Sequence, residues 1–269
     1  MIPRHGLPPR KSLGQHFLLD PGICRRIVSD AGDLDAREVV EIGPGPGGLT
    51  RALLASGLAR LVAVEVDVRA IGSLHRLTAS DPRLEIIRAD ATRLHADTLV
   101  RSPRHVVANL PYNVGTPILI GLLRRAGAWE RLTVMLQQEV ADRICAVPGS
   151  SAYGRLSVVA QWLCEVSLGV RLPPGAFIPP PKVWSAVVRL TPRSVQPTAR
   201  ALATMETVTA AAFGQRRKML RSSLRTLGGV DILERAEIEP DRRAETLNVA
   251  EFERLAQIVE LDEINARVL

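Results

Sequence analysis

The sequence predicts an α/β protein, with a doubly wound, mostly parallel seven-stranded sheet followed by a small all-helical C-terminal domain. Three observations carry this reading. Seven short runs rich in β-branched residues recur along the first 190 residues, stretches that could form crossover helices separate the first five, and the pattern turns helical from about Ala201 to the end.

Taken in order, REVVEIG, ARLVAVEVD, LEIIRAD, RHVVANL and RLTVMLQ are the parallel strands of successive βαβ units. CEVSLGVRL and WSAVVRL are separated only by the proline-rich PPGAFIPPPKV, too short and too broken for a crossover helix, so they read as an antiparallel edge pair. MLQQEVADRI and YGRLSVVAQ read as helices whose apolar faces lie on the sheet. After Leu190 comes the linker TPRSVQPTAR, and the helical tail is broken at Gly228 and Gly229. The expected division is a domain of residues 1–192, with a basic N-terminal arm at Arg4, Arg10 and Lys11, and a helical domain of residues 199–269.

Composition narrows the function classes. Of 269 residues, 46% are hydrophobic and 23% charged, enough to bury a core and too apolar for a disordered chain. Pro, Gly or Arg interrupts every apolar stretch before the roughly 18–20 residues of a membrane span, and the amino terminus lacks the apolar core of an export signal. Cys24, Cys145 and Cys164 are far apart and form no C-x-x-C, as expected of free thiols in a reducing cytoplasm; no metal site and no membrane partner is expected. The net charge of +7 lies in the first 190 residues, because residues 191–269 hold 12 basic and 12 acidic side chains. A basic surface steers a protein toward phosphates or acidic membranes. Aromatic residues are only 3% of the chain, so any aromatic inside a motif is informative.

VVEIGPGPGGLTRALL places Gly43, Gly45, Gly47 and Gly48 between the first strand and a helix, where a tight turn lets a ligand approach the backbone. Gly43, Gly45 and Gly48 satisfy G-x-G-x-x-G, and Glu65 ends the second strand 20 residues after Gly45, placed to accept from ribose hydroxyls. A dinucleotide dehydrogenase would look similar. Two features favour S-adenosyl-L-methionine: Pro44 and Pro46 remove two N–H donors that a pyrophosphate would need, and Glu41 sits two residues before the first glycine. The glycines could also make only a turn, and Glu65 could be a solvated strand-end carboxylate. Asp90 follows the third strand in IIRADAT, where it can accept from an adenine amine or simply close an Asx-turn.

Asn109-Leu110-Pro111-Tyr112 ends the fourth strand, at the edge where open α/β sheets bind ligands. An exocyclic amine such as adenine N6 is a poor nucleophile while its lone pair is delocalised into the ring, so acceptors must grip its hydrogens. The Asn109 side-chain oxygen and the Leu110 carbonyl can supply two, Pro111 stiffens the turn, and Tyr112 offers a face for stacking. A strand-end turn with a core tyrosine is the alternative. FGQRRKMLRSSLRTLGG puts Arg217, Arg221 and Arg225 at i, i+4 and i+8, on one face of an expected helix, with Arg216 and Lys218 beside them and Met219, Leu220, Leu224 and Leu227 turned inward. Five cations in ten residues with no acid suit an RNA backbone better than a merely solvated face.

KSLGQHFLLD, EIGPGPGGLT, NLPYNVGTPIL, MLQQEVADRI, YGRLSVVAQ, FIPPPKVWSAVV and FGQRRKMLRSSL, in this order over nearly the whole length, resemble the KsgA (RsmA) family of rRNA adenine dimethyltransferases. The resemblance implies a class I, Rossmann-like methyltransferase. Its cofactor is S-adenosyl-L-methionine, its product N6,N6-dimethyladenosine at two adjacent adenosines in the 3′-terminal hairpin of small-subunit rRNA, and its partner a 30S precursor particle. It further implies that His16 and Leu18 lie against the cofactor with Gly43, Gly45, Glu65, Asp90 and Asn109; many relatives carry Asn where this chain has His16. Phe177, held between prolines, would face the active site and sandwich a flipped adenine with Tyr112; its alternative is a phenylalanine filling the core. Dimethylation needs room near the motif, which Gly115 would leave. The protein is expected to be cytoplasmic and monomeric. The rival readings are a large-subunit rRNA methyltransferase of the erythromycin-resistance type and a non-catalytic ribosome assembly factor.

Overall fold

A computed structural model describes residues 7–215 and 217–268. Arg4 and Arg216, read above as parts of basic surfaces, lie outside the described residues. In chain order the strands and helices begin with β1 (Phe17–Leu18), α1 (Pro21–Asp30), β2 (Glu38–Ile42), α2 (Gly48–Leu54), β3 (Arg60–Glu65), α3 (Val68–Thr78), β4 (Leu84–Arg88) and β5 (Arg104–Asn109). They continue with α4 (Gly115–Leu123), β6 (Arg131–Gln137), α5 (Gln138–Ile144), α6 (Arg155–Leu163), β7 (Cys164–Leu172), β8 (Phe177–Ile178) and β9 (Ser185–Pro192). The tail holds α7 (Ala199–Phe213), α8 (Leu220–Ser223), α9 (Val230–Arg235) and α10 (Val249–Val268).

Seven of these strands form one sheet in the order β4-β3-β2-β5-β6-β9-β7. The neighbours from β4 to β6 are parallel and β9 runs antiparallel to β6, so the expected mostly parallel sheet of seven strands is present. Val39, Val40, Leu61, Val62, Ala63, Val106, Val107 and Ala108 are fully shielded from solvent, as central strands covered on both faces require. The chain runs outward from β2 to β4 and returns to β5 on the other side of β2. The switch point therefore falls between β2 and β5, and ligands of open α/β sheets bind outside the strand ends at such a point.

Local chemistry sets the helix starts. Asp20 caps α1 by accepting from Ile23 N at 2.8 Å, with Pro21 opening the helix. Asp67 caps α3 through Arg69 N, and Thr198 caps α7 through Ala201 N at 3.1 Å. At the start of α10, Asn248 and Glu251 each accept the other's backbone N–H, at 2.9 and 2.7 Å.

One expected crossover helix is missing. Between β4 and β5 the chain forms only a 3-10 turn at Ala96–Leu99. Its Asp97 is 6% exposed and is held by the exposed Arg125 guanidinium, so an ion pair with one buried partner fixes this irregular connection. The proline-rich segment also contains order that its composition hides, since β8 pairs antiparallel with β1, joining Leu18 to Phe177 and Phe17 to Ile178.

The chain divides into two compact units. The first comprises residues 1–141 and 166–192, the second residues 142–165 and 193–269. Helix α6, which the sequence places on the sheet, groups instead with the C-terminal helices and packs on α7 and α10. Its apolar residues Val158, Val159 and Leu163 are buried there, and amphipathic periodicity alone does not say which apolar surface a helix will meet.

Candidate active site

The carboxyl ends of β2, β3, β4 and β5 open on one cavity in the first unit. Its walls are the glycine turn, the strand-end acids, the NLPY segment and residues 13–18. Gly43 adopts φ +69°, and a Cβ there would meet the Pro111 ring at 3.6 Å. The backbone turns left-handed beside the NLPY segment, and it is this positive φ that favours glycine.

Glu65 is not a solvated carboxylate. It is 5% exposed; one oxygen accepts Gly45 N–H at 3.1 Å and the other accepts Val66 and Asp67 N–H at 2.9 and 2.8 Å. Burial raises its pKa, and the three backbone donors oppose that rise. Glu65 therefore clamps the glycine turn to the end of β3. Glu41 is still more enclosed at 1% exposure, one of its oxygens has no partner, and burial pushes its pKa up to about 8. Asp90 is half exposed and closes an Asx-turn, accepting Thr92 N at 2.9 Å and the Thr92 hydroxyl at 2.7 Å; that hydroxyl bond is the main cause of its lowered pKa.

Asn109 Nδ2 donates to the His16 carbonyl at 3.1 Å, while Oδ1 is buried without a partner. Leu110 N–H donates to Met135 O at 3.1 Å, which fixes its peptide against β6. The Tyr112 hydroxyl bonds the Ser185 hydroxyl. His16 stands above this group, Nδ1 being 2.8 Å from Pro179 O and its ring 4.9 Å from that of Tyr112 at 33°. A neighbouring carbonyl requires a donor, so Nδ1 carries the hydrogen.

Sequence reasoning missed several residues that hold this site. Phe17 lines the cavity, 6% exposed, and a Cβ on Gly45 would press on its ring at 2.9 Å. Gln15 Nε2 donates to Asp67 at 2.9 Å, and Asp67 is paired with Arg69 at 2.6 Å, which pulls its pKa down to about 2. Asn113 Nδ2 donates to Ser12 O at 3.1 Å. Residues 12–17 are thus strapped across the strand ends. The one available signal was the position of Gln15 inside KSLGQHF and of Asp67 two residues after Glu65.

The cavity suits a cofactor of the expected kind: its lining includes the left-handed glycine backbone at Gly43 and an unsatisfied acidic oxygen at Glu41. Among the described residues no group of three or more His, Cys, Asp or Glu side chains could hold a metal ion.

The family described as Ribosomal RNA adenine dimethylase matches residues 7–261. The chain belongs to this family. Among its relatives, Ribosomal RNA small subunit methyltransferase A of Gluconobacter oxydans is 61% identical over 258 residues, covering 96% of this chain and 85% of that protein. The protein of the same name from Rhodospirillum rubrum is 53% identical, covering 97% and 91%. Of solved structures, a dimethyladenosine transferase from Plasmodium falciparum shares the fold at a TM-score of 0.78 with 24% identity, over 94% of this chain and 99% of that one. The 23S rRNA methyltransferase ErmE aligns at 0.67 with 26% identity, over 91% and 99%. Membership sets aside the dehydrogenase that the glycine turn alone would admit.

Three expectations for this dimethylase family member change. Phe177 does not line the cavity: it is 2% exposed in the core cluster of Leu18, Met135 and Val187, because β8 pairs with β1 and turns the ring inward. A stack on Tyr112 is absent from this arrangement. Gly115 likewise serves packing, since a Cβ would stand 3.1 Å from Leu136 and 3.4 Å from Leu110. Arg217, Arg221 and Arg225 do not share a helix. Helix α7 ends at Phe213, Met219 is extended at ψ 154°, α8 holds only Arg221, and Arg225 opens a 3-10 turn. Helix is interrupted because Leu220 N and Arg221 N donate to Arg242 O and Pro240 O, tying the segment to the loop before α10. All three arginines are exposed, but Arg221 is paired with Asp241 at 2.9 Å, and Met219 is 40% exposed instead of buried.

Proposed function

We infer that the chain transfers methyl groups from S-adenosyl-L-methionine to N6 of two adjacent adenosines in the 3′-terminal hairpin of small-subunit rRNA. The observation that carries this reading is Asn109 Oδ1, a buried acceptor with no partner at the end of β5. A buried unsatisfied acceptor costs stability, on the order of 1–3 kcal/mol, and persists where a ligand supplies the donor. An amide whose nitrogen is committed to His16 O presents its oxygen to an amine and not to a carbonyl.

The cofactor supplies an electrophilic methyl group; the chain supplies the geometry. Glu41, Glu65, Asp90 and the turn at Gly43 and Gly45 are assigned to the cofactor, with His16 and Leu18 closing over it. Asn109 Oδ1 and the Leu110 carbonyl accept the two N6 hydrogens, drawing the lone pair out of conjugation and toward the methyl donor. Positive charge develops on N6 at transfer, and both acceptors stabilise it more than the neutral amine. Afterwards the proton leaves to water, and no strong base is needed before attack. Tyr112 offers its ring to the flipped base. After one transfer a single N–H remains, and regripping it by either acceptor permits the second.

The same reading places the protein in the cytoplasm as a monomer acting on a 30S precursor, with Arg217 and Arg225 toward the RNA. No described helix is long and apolar enough to cross a membrane, and Cys24, Cys145 and Cys164 are free thiols. The test is incubation with methyl-labelled cofactor and under-methylated 30S particles, then mapping of the label. Label on two adjacent adenosines of the 3′-terminal hairpin is the expected result. Label confined to large-subunit RNA would favour the erythromycin-resistance reading, and none would favour a non-catalytic assembly factor.

A further inference from the structure

Of the nine aromatic side chains, only Trp184 is exposed, at 50%. The others are buried or half-buried, which the scarcity of aromatics makes unsurprising. An exposed indole on a chain that spends its rings so sparingly needs a reason. Trp184 ends the segment that joins β8 to β9, where Ile178 and Val183 are also exposed, at 44% and 42%, so three large apolar side chains face water on one short stretch. Clusters of this kind mark contact surfaces.

The stretch is continuous with the candidate site. His16 holds one end through Pro179 O, and the other is fixed where Gln138 N donates to Trp184 O at 2.9 Å and where the next residue, Ser185, bonds the Tyr112 hydroxyl. Consecutive Cα atoms are about 3.8 Å apart. The indole therefore sits one residue from the contact that positions the tyrosine assigned to the flipped base. Charge agrees with nucleic acid: residues 173–185 contain no acid, and Lys182 is exposed between the apolar residues.

We propose that Trp184, flanked by Ile178 and Val183, is the stacking platform for the purine next to the adenosine being methylated. Flipping one nucleotide from a loop unstacks its neighbour, and an indole at the rim replaces the lost stacking partner whatever the base's hydrogen-bonding edge. Because the substrate presents two adjacent adenosines, the platform would hold each in turn while the other reacts. Trp184 thus acts on substrate register rather than on the reacting atoms. The inference rests on the function proposed above.

The experiment uses the full-length protein and 30S particles reconstituted with unmodified RNA, measuring methyl transfer to one target adenosine. Trp184→Ala should raise KM for the particle about tenfold, as expected for one lost base stack. The kcat, melting temperature and calorimetric cofactor affinity should stay near wild type, and Trp184→Phe should restore most of the loss. On particles whose neighbouring nucleotide is abasic, wild type and Trp184→Ala should become nearly equal. An unchanged KM for Trp184→Ala on intact particles, or an undiminished penalty on abasic ones, would overturn the proposal, the latter pointing to a protein contact. Failure of wild type to methylate intact particles would instead refute the underlying function.

Discussion

Asn109 Nδ2 donates to the His16 carbonyl at 3.1 Å, and this bond decides which end of the amide faces the cavity. The strap over the site and the acceptor proposed for the amine are thereby one device. Asn109→Ala should lower kcat about 10²- to 10³-fold, the cost of losing a charge-stabilising hydrogen-bond partner. Cofactor affinity, measured by calorimetry, should shift by no more than about threefold. A kcat within a few-fold of wild type would remove Asn109 from the chemistry.

Glu65 makes a different prediction because it clamps the turn at Gly45 N. Glu65→Ala should weaken cofactor binding by about tenfold or more, and Glu65→Gln should not fully restore it. A glutamine would turn its NH₂ group toward one of the backbone donors that both carboxylate oxygens now accept. Full affinity in Glu65→Gln would mean that the clamp is dispensable.

Glu41 makes stability depend on pH. Its folded pKa of about 8 lies above the ordinary 4.5, so between those values the folded chain keeps a proton that the unfolded chain releases. Stability of the cofactor-free protein should therefore fall as pH rises through this window and level off above about 8. Glu41→Gln should flatten the dependence and raise the melting temperature at pH 8, on the order of 5 °C. Parallel melting curves from pH 5 to 8 for the two proteins would contradict the buried, protonated carboxyl.

Changing Arg217, Arg221 and Arg225 together to Gln should weaken binding to the pre-ribosomal particle and flatten its salt dependence. Each phosphate contact contributes about 0.7–0.9 to the slope of log affinity against log salt. Because Arg221 already pairs with Asp241, a loss nearer two contacts than three is expected. Cofactor affinity should not move, since none of the three lines the cavity. Equal slopes would leave these arginines as solubilising charges and direct attention to Arg10 and Lys11.

The sequence by itself determined the sheet, the switch-point site and most of the residues around it. The strand VVEI and the strand-end segment NLPY are local statements: β-branched runs, obligatory glycines and prolines act within a few residues and leave few alternatives. The cavity accordingly gathers Leu18, Gly43, Gly45, Glu65, Asp90, Asn109, Leu110, Pro111 and Tyr112, with His16 among them. What only the tertiary structure decided depends on partners distant in the chain. Phe177 is a core residue because β8 found β1, 160 residues earlier. Helix α6 joined the second unit because its apolar stripe met α7 and α10, and the arginine stripe broke because Leu220 and Arg221 found carbonyls at Arg242 and Pro240. Periodicity reports that a face is apolar or charged; which surface covers it is settled by burial and hydrogen bonding across the fold, and these leave no mark at short range in sequence.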